Sequence, residues 1–449
     1  MAIKERSVRR KTGRKAARQS TPVIPAAERS SFFLLPEIPT APLSIPWTVK
    51  ALLIAVILLG TAVRIANFGN VTFRSPDERT YTAHALGILK NGLIGNRAFA
   101  EAQLQIPELK FNPPPTRLGF TLPVVAIMKL TGIHDERAGA YVSSIASVLS
   151  LLAAVWIGLR FFGPWIAIFG GLFLAVFPPE LVMARRCWSD ALTGLTGILM
   201  LYLTMEIFSG RRKWFFYVPL VLIGSEAMLV KETSILLYGP CLIIALWAFL
   251  KERDFAGAGL IVGAAAAGAI MVVGLLAYST GGVDIPLRIF LEDARANATN
   301  TYSLSTQSGP AYLLLWAFEV LSPITFILAA LGLAIAIFRN RRRRSEIAML
   351  AWLTLGFLAI FMFMPLWLNL RYAAPAYGPL CLFAGAALWQ VFSKAGQKLP
   401  RDVCYGFGAL ALAAVMLFLF ADYQRFERAF VGTKANDLSI GVIRAALSN

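Results

Sequence analysis

"RSPDERTY", residues 74–81, stands just beyond the first long apolar run of the chain and carries two adjacent carboxylates, Asp77 and Glu78, behind a proline. Locally this is a helix start. Ser75 is an N-cap residue type, Pro76 suits the first helical position, and Glu78 falls where a Ser-x-x-Glu capping box needs it. Carboxylates in a first turn also oppose the positive end of the helix dipole. Whether Asp77 does more than begin a helix depends on what the rest of the chain places around it.

Of the 449 residues, 57% are hydrophobic and only 15% charged. Several apolar runs approach the roughly 20 residues that a helix needs to cross a bilayer, so the expected fold class is an all-α polytopic membrane protein. The net charge of +18 suits nucleic acid by its size but not by its distribution. Residues 1–46 hold nine Lys or Arg against three acids, and most of the remaining excess lies in short loops. That pattern sets topology and contacts anionic lipid, and no nucleic-acid partner is expected. The segment 1–46, with prolines at 22, 25, 36, 39, 42 and 46, reads as a disordered basic cytoplasmic tail and linker, too long and basic for an ordinary cleaved signal peptide. Cys187, Cys241, Cys381 and Cys404 lie in or beside apolar runs without CxxC spacing, the setting of buried inert thiols. Two histidines, His84 and His134, cannot build a His-rich metal site.

Apolar runs centre on residues 50–67, 138–159, 165–183, 190–208, 214–230, 233–250, 256–278, 311–338, 346–364, 373–392 and 403–421, about eleven candidate spans in a transmembrane domain over 47–421. The segment Thr116–Gly132 is shorter and interrupted by Pro123 and Lys129, so it is expected to lie in the interface or re-enter. Charge supports that choice. With the basic tail inside and Thr116–Gly132 not spanning, the short inner loops hold 14 Lys or Arg, against six in the outer segments after the first loop. Letting the segment span would export "RNRRRR", against the positive-inside rule. The expected orientation is a multi-pass plasma-membrane protein with its N-terminus cytoplasmic. Residues 68–137 and 279–310 form two large extracytoplasmic loops, and 422–449 form a short outer tail.

The first outer loop then holds two membrane-surface helices. The helix starting at Ser75 turns Tyr81, Ala85, Ile88 and Leu89 to one face, with Asp77 on that same, membrane-facing side. Further charges sit at outer helix ends: Arg185, Arg186 and Asp190 in "MARRCWSDAL", Lys231 and Glu232 in "LVKETS", and Arg371 in "LNLRYAAP". Snorkelling and helix-end ion pairs account for any one of them alone. Their shared side points to convergence at one outer surface, where ionisable groups beside apolar stretches are costly and turn inward. Arg and Lys at headgroup level hold a phosphate while an apolar groove holds a lipid tail, and a carboxylate nearby takes a proton from an attacking hydroxyl or amine. With no Gly-rich phosphate loop or dinucleotide fingerprint in the chain, a lipid-linked phosphosugar fits best.

"SPDERTYTAHALGILKNG" (75–92), "NPPPTRLGFTLPVVAIMKLTG" (112–132), "ERAGAYVSSIASVLSLLAAVWIGLRFFG" (136–163), "FPPELVMARRCWSDALTG" (177–194), "LVKETSILLYGP" (229–240) and "LNLRYAAPAYGPLCLFAG" (368–385) follow one another in an order that resembles the GT-C glycosyltransferases. The resemblance is closest to the branch holding protein O-mannosyltransferases and lipid A aminoarabinose transferases. It implies a GT-C fold and transfer of a sugar from a polyprenyl-phosphate donor to a protein, lipid or polysaccharide acceptor. It also implies Asp77 as base, with Glu78 and Asp190 as further catalytic acids. Tyr81, Arg117, Arg185, Arg186, Lys231, Glu232, Arg371 and Tyr372 are the implied substrate-binding residues, with the later cations on the lipid phosphate.

Two departures bear on chemistry. The aminoarabinose transferases have a Glu-Lys before the proline where this chain has Asn112-Pro113-Pro114-Pro115 followed by Arg117. Their metal-associated residues are thus unmatched, and neither metal nor cofactor is expected. The β-trefoil of eukaryotic protein mannosyltransferases has no counterpart here. A transporter or lipid flippase for a lipid-linked sugar is the alternative, since it too needs charges in the membrane. It predicts repeated halves with broken helices, and the sequence has no internal repeat.

Overall fold

The computed structural model describes residues 45–65, 75–210, 214–299, 322–339, 345–363, 370–398 and 401–427. The basic tail, the loop cations Arg211–Lys213 and Arg341–Arg344, and the last residues of the chain lie outside these. Among the described residues the regular structure is helical throughout.

The first helix, α1 (Trp47–Ile65), enters the membrane domain. Three shorter helices follow: α2 (Pro76–Asn91), α3 (Arg97–Gln105) and α4 (Leu118–Thr131). Then come α5 (Glu136–Ile157), α6 (Pro164–Ala175), α7 (Pro178–Ala184), α8 (Asp190–Phe208), α9 (Trp214–Val230), α10 (Ile235–Lys251) and α11 (Phe255–Thr280). The series ends with α12 (Asp284–Thr299), α13 (Pro323–Arg339), α14 (Ser345–Phe363), α15 (Ala374–Lys398) and α16 (Arg401–Glu427). The last helix runs on through Asp422 to Glu427, where the sequence predicts a tail; its final turns carry Asp422, Tyr423 and Gln424.

Among the described residues six helical segments are long and apolar enough to cross a membrane, seven if the bent pair α6–α7 counts as one. Eleven spans are therefore not established. Helices α9, α13, α14 and α16 coincide with the remaining apolar runs but are shorter over their described residues. The 60° bend between α6 and α7 falls at Pro178-Pro179, where the missing N–H groups leave carbonyls of the preceding turn without helical donors. Arg64, fully buried near the end of α1, supplies them: it donates to the carbonyls of Ala175 (3.0 Å) and Leu174 (3.1 Å) and to Ser147 Oγ (2.7 Å). Ser147 in turn donates to Glu180 at 2.8 Å. This buried polar knot was not legible in the sequence, because its members are scattered over three helices.

Among the described residues two apolar cores result. The larger runs through α1, α5–α11 and α13–α16. The smaller gathers Tyr81, Ala85 and Ile88 of α2 against Leu118, Phe120, Val124, Val125 and Met128 of α4, with Ala138 and Val142 of α5 and Cys187. The apolar face of α2 is therefore covered by protein, not by lipid. The period of that face was right and its partner was not: α4 and the start of α5 fold over it. Helix α4 itself packs between α2, α5 and α9. Its Gly119 lies so close to Val230 that a Cβ there would sit 2.7 Å from the Val230 backbone nitrogen. That approach brings the start of α4 against the end of α9, and with it Arg117 to Glu232.

Candidate active site

Three spans begin at one place: α8 at Asp190, the Glu232–Lys251 span after Lys231, and the Arg371–Lys394 span. The start of α2 lies over them. Ser75 forms the full capping box there: its Oγ accepts from the Asp77 N–H (3.3 Å), and its own N–H donates to Glu78 Oε2 (3.0 Å). Fixing the first turn in this way sends Asp77 and Glu78 in different directions.

Asp77 reaches Arg371, whose Nη1 donates to its Oδ2 at 2.8 Å. The same guanidinium nitrogen stands 3.9 Å from Asp190 Oδ2, and Asp190 accepts from Lys231 Nζ at 2.5 Å. Lys231 also lies over the Tyr372 ring, 4.0 Å from its centroid. Asp77, Arg371, Asp190 and Lys231 thus form one alternating line of charge. Along it, the Asp77 side chain retains 21% of its exposure and Asp190 only 4%; Asp77 is the carboxylate that an incoming group can reach.

Glu78 is fully buried and turned the other way. Its two oxygens accept from Arg186 Nε (2.5 Å) and Nη2 (3.1 Å). Arg186 and Arg371 each lie over the Trp188 indole, both with Cζ 4.5 Å from the ring. Arg185 is not brought to this line. It donates to the Val63 carbonyl (2.6 Å) at the end of α1 and reaches Tyr423 of α16 (3.5 Å).

A second group lies alongside. Arg117 makes a bidentate pair with Glu232 (3.1 and 3.2 Å) and donates from Nη1 to Tyr81 Oη at 2.9 Å. Tyr81 and Ser189 are 2.9 Å apart, hydroxyl to hydroxyl, and Ser189 immediately precedes Asp190. Burial works to lower the Arg117 pKa, but the Glu232 carboxylate outweighs it and holds the guanidinium well above its ordinary value. Burial likewise pushes the Tyr81 hydroxyl up, so it serves as a neutral hydrogen-bonding group. Burial lowers His84 on α2 to about 3, which leaves the imidazole neutral and removes it as a proton carrier at ordinary pH. Beyond Arg117 and Glu232, Gln103 Nε2 of α3 donates to both oxygens of Asp293 on α12 (3.2 and 3.3 Å). Burial raises Asp293 to about 7.

Ser189, Trp188 and Asp293 were missed in the sequence. Trp188 and Ser189 sit inside the quoted "RRCWSD" run, where charge drew the eye to their neighbours, and Asp293 lies on an ordinary-looking amphipathic helix. Each of the paired carboxylates faces a guanidinium, and among the described residues no three His, Cys, Asp or Glu side chains come together.

The family model for dolichyl-phosphate-mannose-protein mannosyltransferase matches residues 123–278. No curated protein matches the chain by sequence. Among solved structures it is similar to ArnT from Cupriavidus metallidurans bound to undecaprenyl phosphate, with TM-score 0.51 and 17% identity over 90% of this chain and 76% of that one. The Archaeoglobus fulgidus oligosaccharyltransferase in the apo form gives TM-score 0.57 and 14% identity over 88% of this chain and 56% of that one. AglB from the same archaeon, in complex with an inhibitory peptide and a dolichol-phosphate, gives 0.54 and 12% over the same shares. The chain has the fold of these GT-C glycosyltransferases, a multi-pass helical membrane architecture.

Proposed function

We propose that the chain is a membrane glycosyltransferase moving a sugar from a polyprenyl-phosphate donor to an extracytoplasmic acceptor, with inversion at the anomeric carbon. The observation that carries this reading is the line Asp77–Arg371–Asp190–Lys231, with its one accessible carboxylate at the outer end. The ArnT and AglB structures with undecaprenyl phosphate and dolichol-phosphate support a lipid-phosphate donor.

Each residue then has a task. Arg371 and Lys231 receive the donor phosphate, and Asp190 between them holds both cations in place. The acceptor hydroxyl or amine gives its proton to Asp77 as it attacks the anomeric carbon. The bond from that carbon to the phosphate oxygen breaks, and the electron pair leaves on the phosphate, neutralised by the two cations. A phosphate so held needs no acid to leave, and a single direct displacement inverts the centre. Glu78 works through Arg186 and the capping box, as a positioning residue. Arg117 and Glu232, each side chain about one-fifth exposed, border the site on the acceptor side.

Purified protein incubated with radiolabelled polyprenyl-phosphate sugars and a membrane extract should yield a labelled, lipid-free product. Sugar carried across vesicles still attached to its lipid would favour a flippase instead. Replacing Arg371 or Lys231 with Gln should weaken binding of undecaprenyl phosphate about tenfold or more, since one charge-assisted contact is lost. Unchanged affinity in both variants would remove the phosphate assignment.

A further inference from the structure

Trp188 is a fully buried indole with a guanidinium over it from Arg186 and another from Arg371. Its Nε1 has no hydrogen-bond partner among the described residues. A buried indole normally finds a partner for that N–H, and leaving it unmade is costly. If only volume were needed, Leu or Phe would fill the position without that cost. What distinguishes tryptophan is its π face, the best of the side chains for a cation, and a guanidinium is the cation that stacks flat upon it.

The positions of the two guanidiniums give the contact a direction. Arg186 is held from outside by Glu78, which the capping box fixes in turn. The backbone of Trp188 is held from below by Ser143 of α5, whose Oγ donates to the Trp188 carbonyl at 2.8 Å. Arg371 arrives from the far end of the chain and ends between this anchored ring and Asp77. We infer that Trp188 is a positioning residue that sets the plane of Arg371 for the donor phosphate, with Arg186 and Glu78 as the rear support of the stack. The inference rests on the donor reading above. Loss of the ring removes that stacking contact and frees Arg371 to rotate.

The test uses the full-length protein in nanodiscs and undecaprenyl phosphate as the probe. Successively fluorinated tryptophans introduced at position 188 alone weaken the face quadrupole at nearly constant volume. Affinity should fall stepwise along that series, reaching about tenfold. The apparent KM for donor should change more than kcat. Trp188→Phe should retain much more affinity than Trp188→Leu. A flat fluorination series, or equal losses in the Phe and Leu variants, overturns the inference while leaving the donor reading intact. Failure of the wild-type protein to bind undecaprenyl phosphate overturns both.

Discussion

The carboxylate of Asp77 and an incoming phosphate compete for one guanidinium, because Arg371 Nη1 is 2.8 Å from Asp77 Oδ2. Phosphate arriving on Arg371 would weaken that pair and leave Asp77 to accept a proton, which couples donor binding to activation of the base. Asp77→Asn should then do two opposite things. Turnover should fall by about 10²–10⁴, the usual contribution of a general base, while undecaprenyl phosphate binds more tightly, since an amide competes less for the cation. Weaker binding in this variant would mean that Asp77 serves only to hold Arg371 in place. Ser75→Ala should cost about 1 kcal/mol of helix stability by losing the cap and should leave tighter phosphate binding unseen. Arg371→Lys should be impaired in donor binding as well, because a point charge neither forms a fork nor stacks flat on Trp188. The capping box was legible because all its members lie within four residues. The Glu78–Arg186 pair, 108 residues apart, was not, so Glu78 read as a neighbour of the base when it faces the other way.

Helices α2 and α4 show what an amphipathic pattern does and does not contain. A stripe of Tyr81, Ala85 and Ile88 demands a cover but does not name it; α4, too short to span, is that cover. Helix α12 is tied to the chain between α3 and α4 through Lys110–Glu292 (2.8 Å) and to α3 through Gln103–Asp293. The burial of Asp293 gives this element a pH response. Asp293 is raised by burial from its ordinary 3.8 to about 7, so the folded state holds the proton more tightly than the unfolded state. Its stabilising share is full below about pH 4 and is lost as pH rises to about 7, then stays constant. Hydrogen exchange in residues 284–296 should therefore be slower at pH 5.5 than at pH 8, after correction for the intrinsic rate. Asp293→Asn should remove most of that difference. Equal protection at both pH values in the wild-type protein would show that the carboxyl does not hold α12 down.

The three candidate spans that start at the site, at Asp190, Glu232 and Arg371, have their far ends at Phe208, Lys251 and Lys394, and the Asp190 helix packs against both of the others. At those far ends the sequence carries Arg211–Lys213, Lys251 with Arg253, and Lys394 with Lys398. At that same end Arg160 donates to Glu206 at 2.9 Å. This common direction is independent of any count of spans, and with the charge asymmetry the positive-inside rule predicts that the cation-rich ends face the cytoplasm and the site faces out. The sequence carried the helices and this asymmetry because both are local properties of composition. It did not carry how many helices cross, since α9 and α4 differ little in length and are told apart only by packing. Single cysteines at Arg212 and Asn297, in a background with Cys187, Cys241, Cys381 and Cys404 replaced, separate the two sides. A membrane-impermeant maleimide applied to intact cells should label Asn297→Cys and leave Arg212→Cys unlabelled until the membrane is opened. Labelling of Arg212→Cys alone would place the Asp77–Lys231 line in contact with the cytoplasm, where soluble sugar nucleotides are the available donors, and a lipid-phosphate donor would lose its rationale; labelling of both from outside would overturn the topology itself.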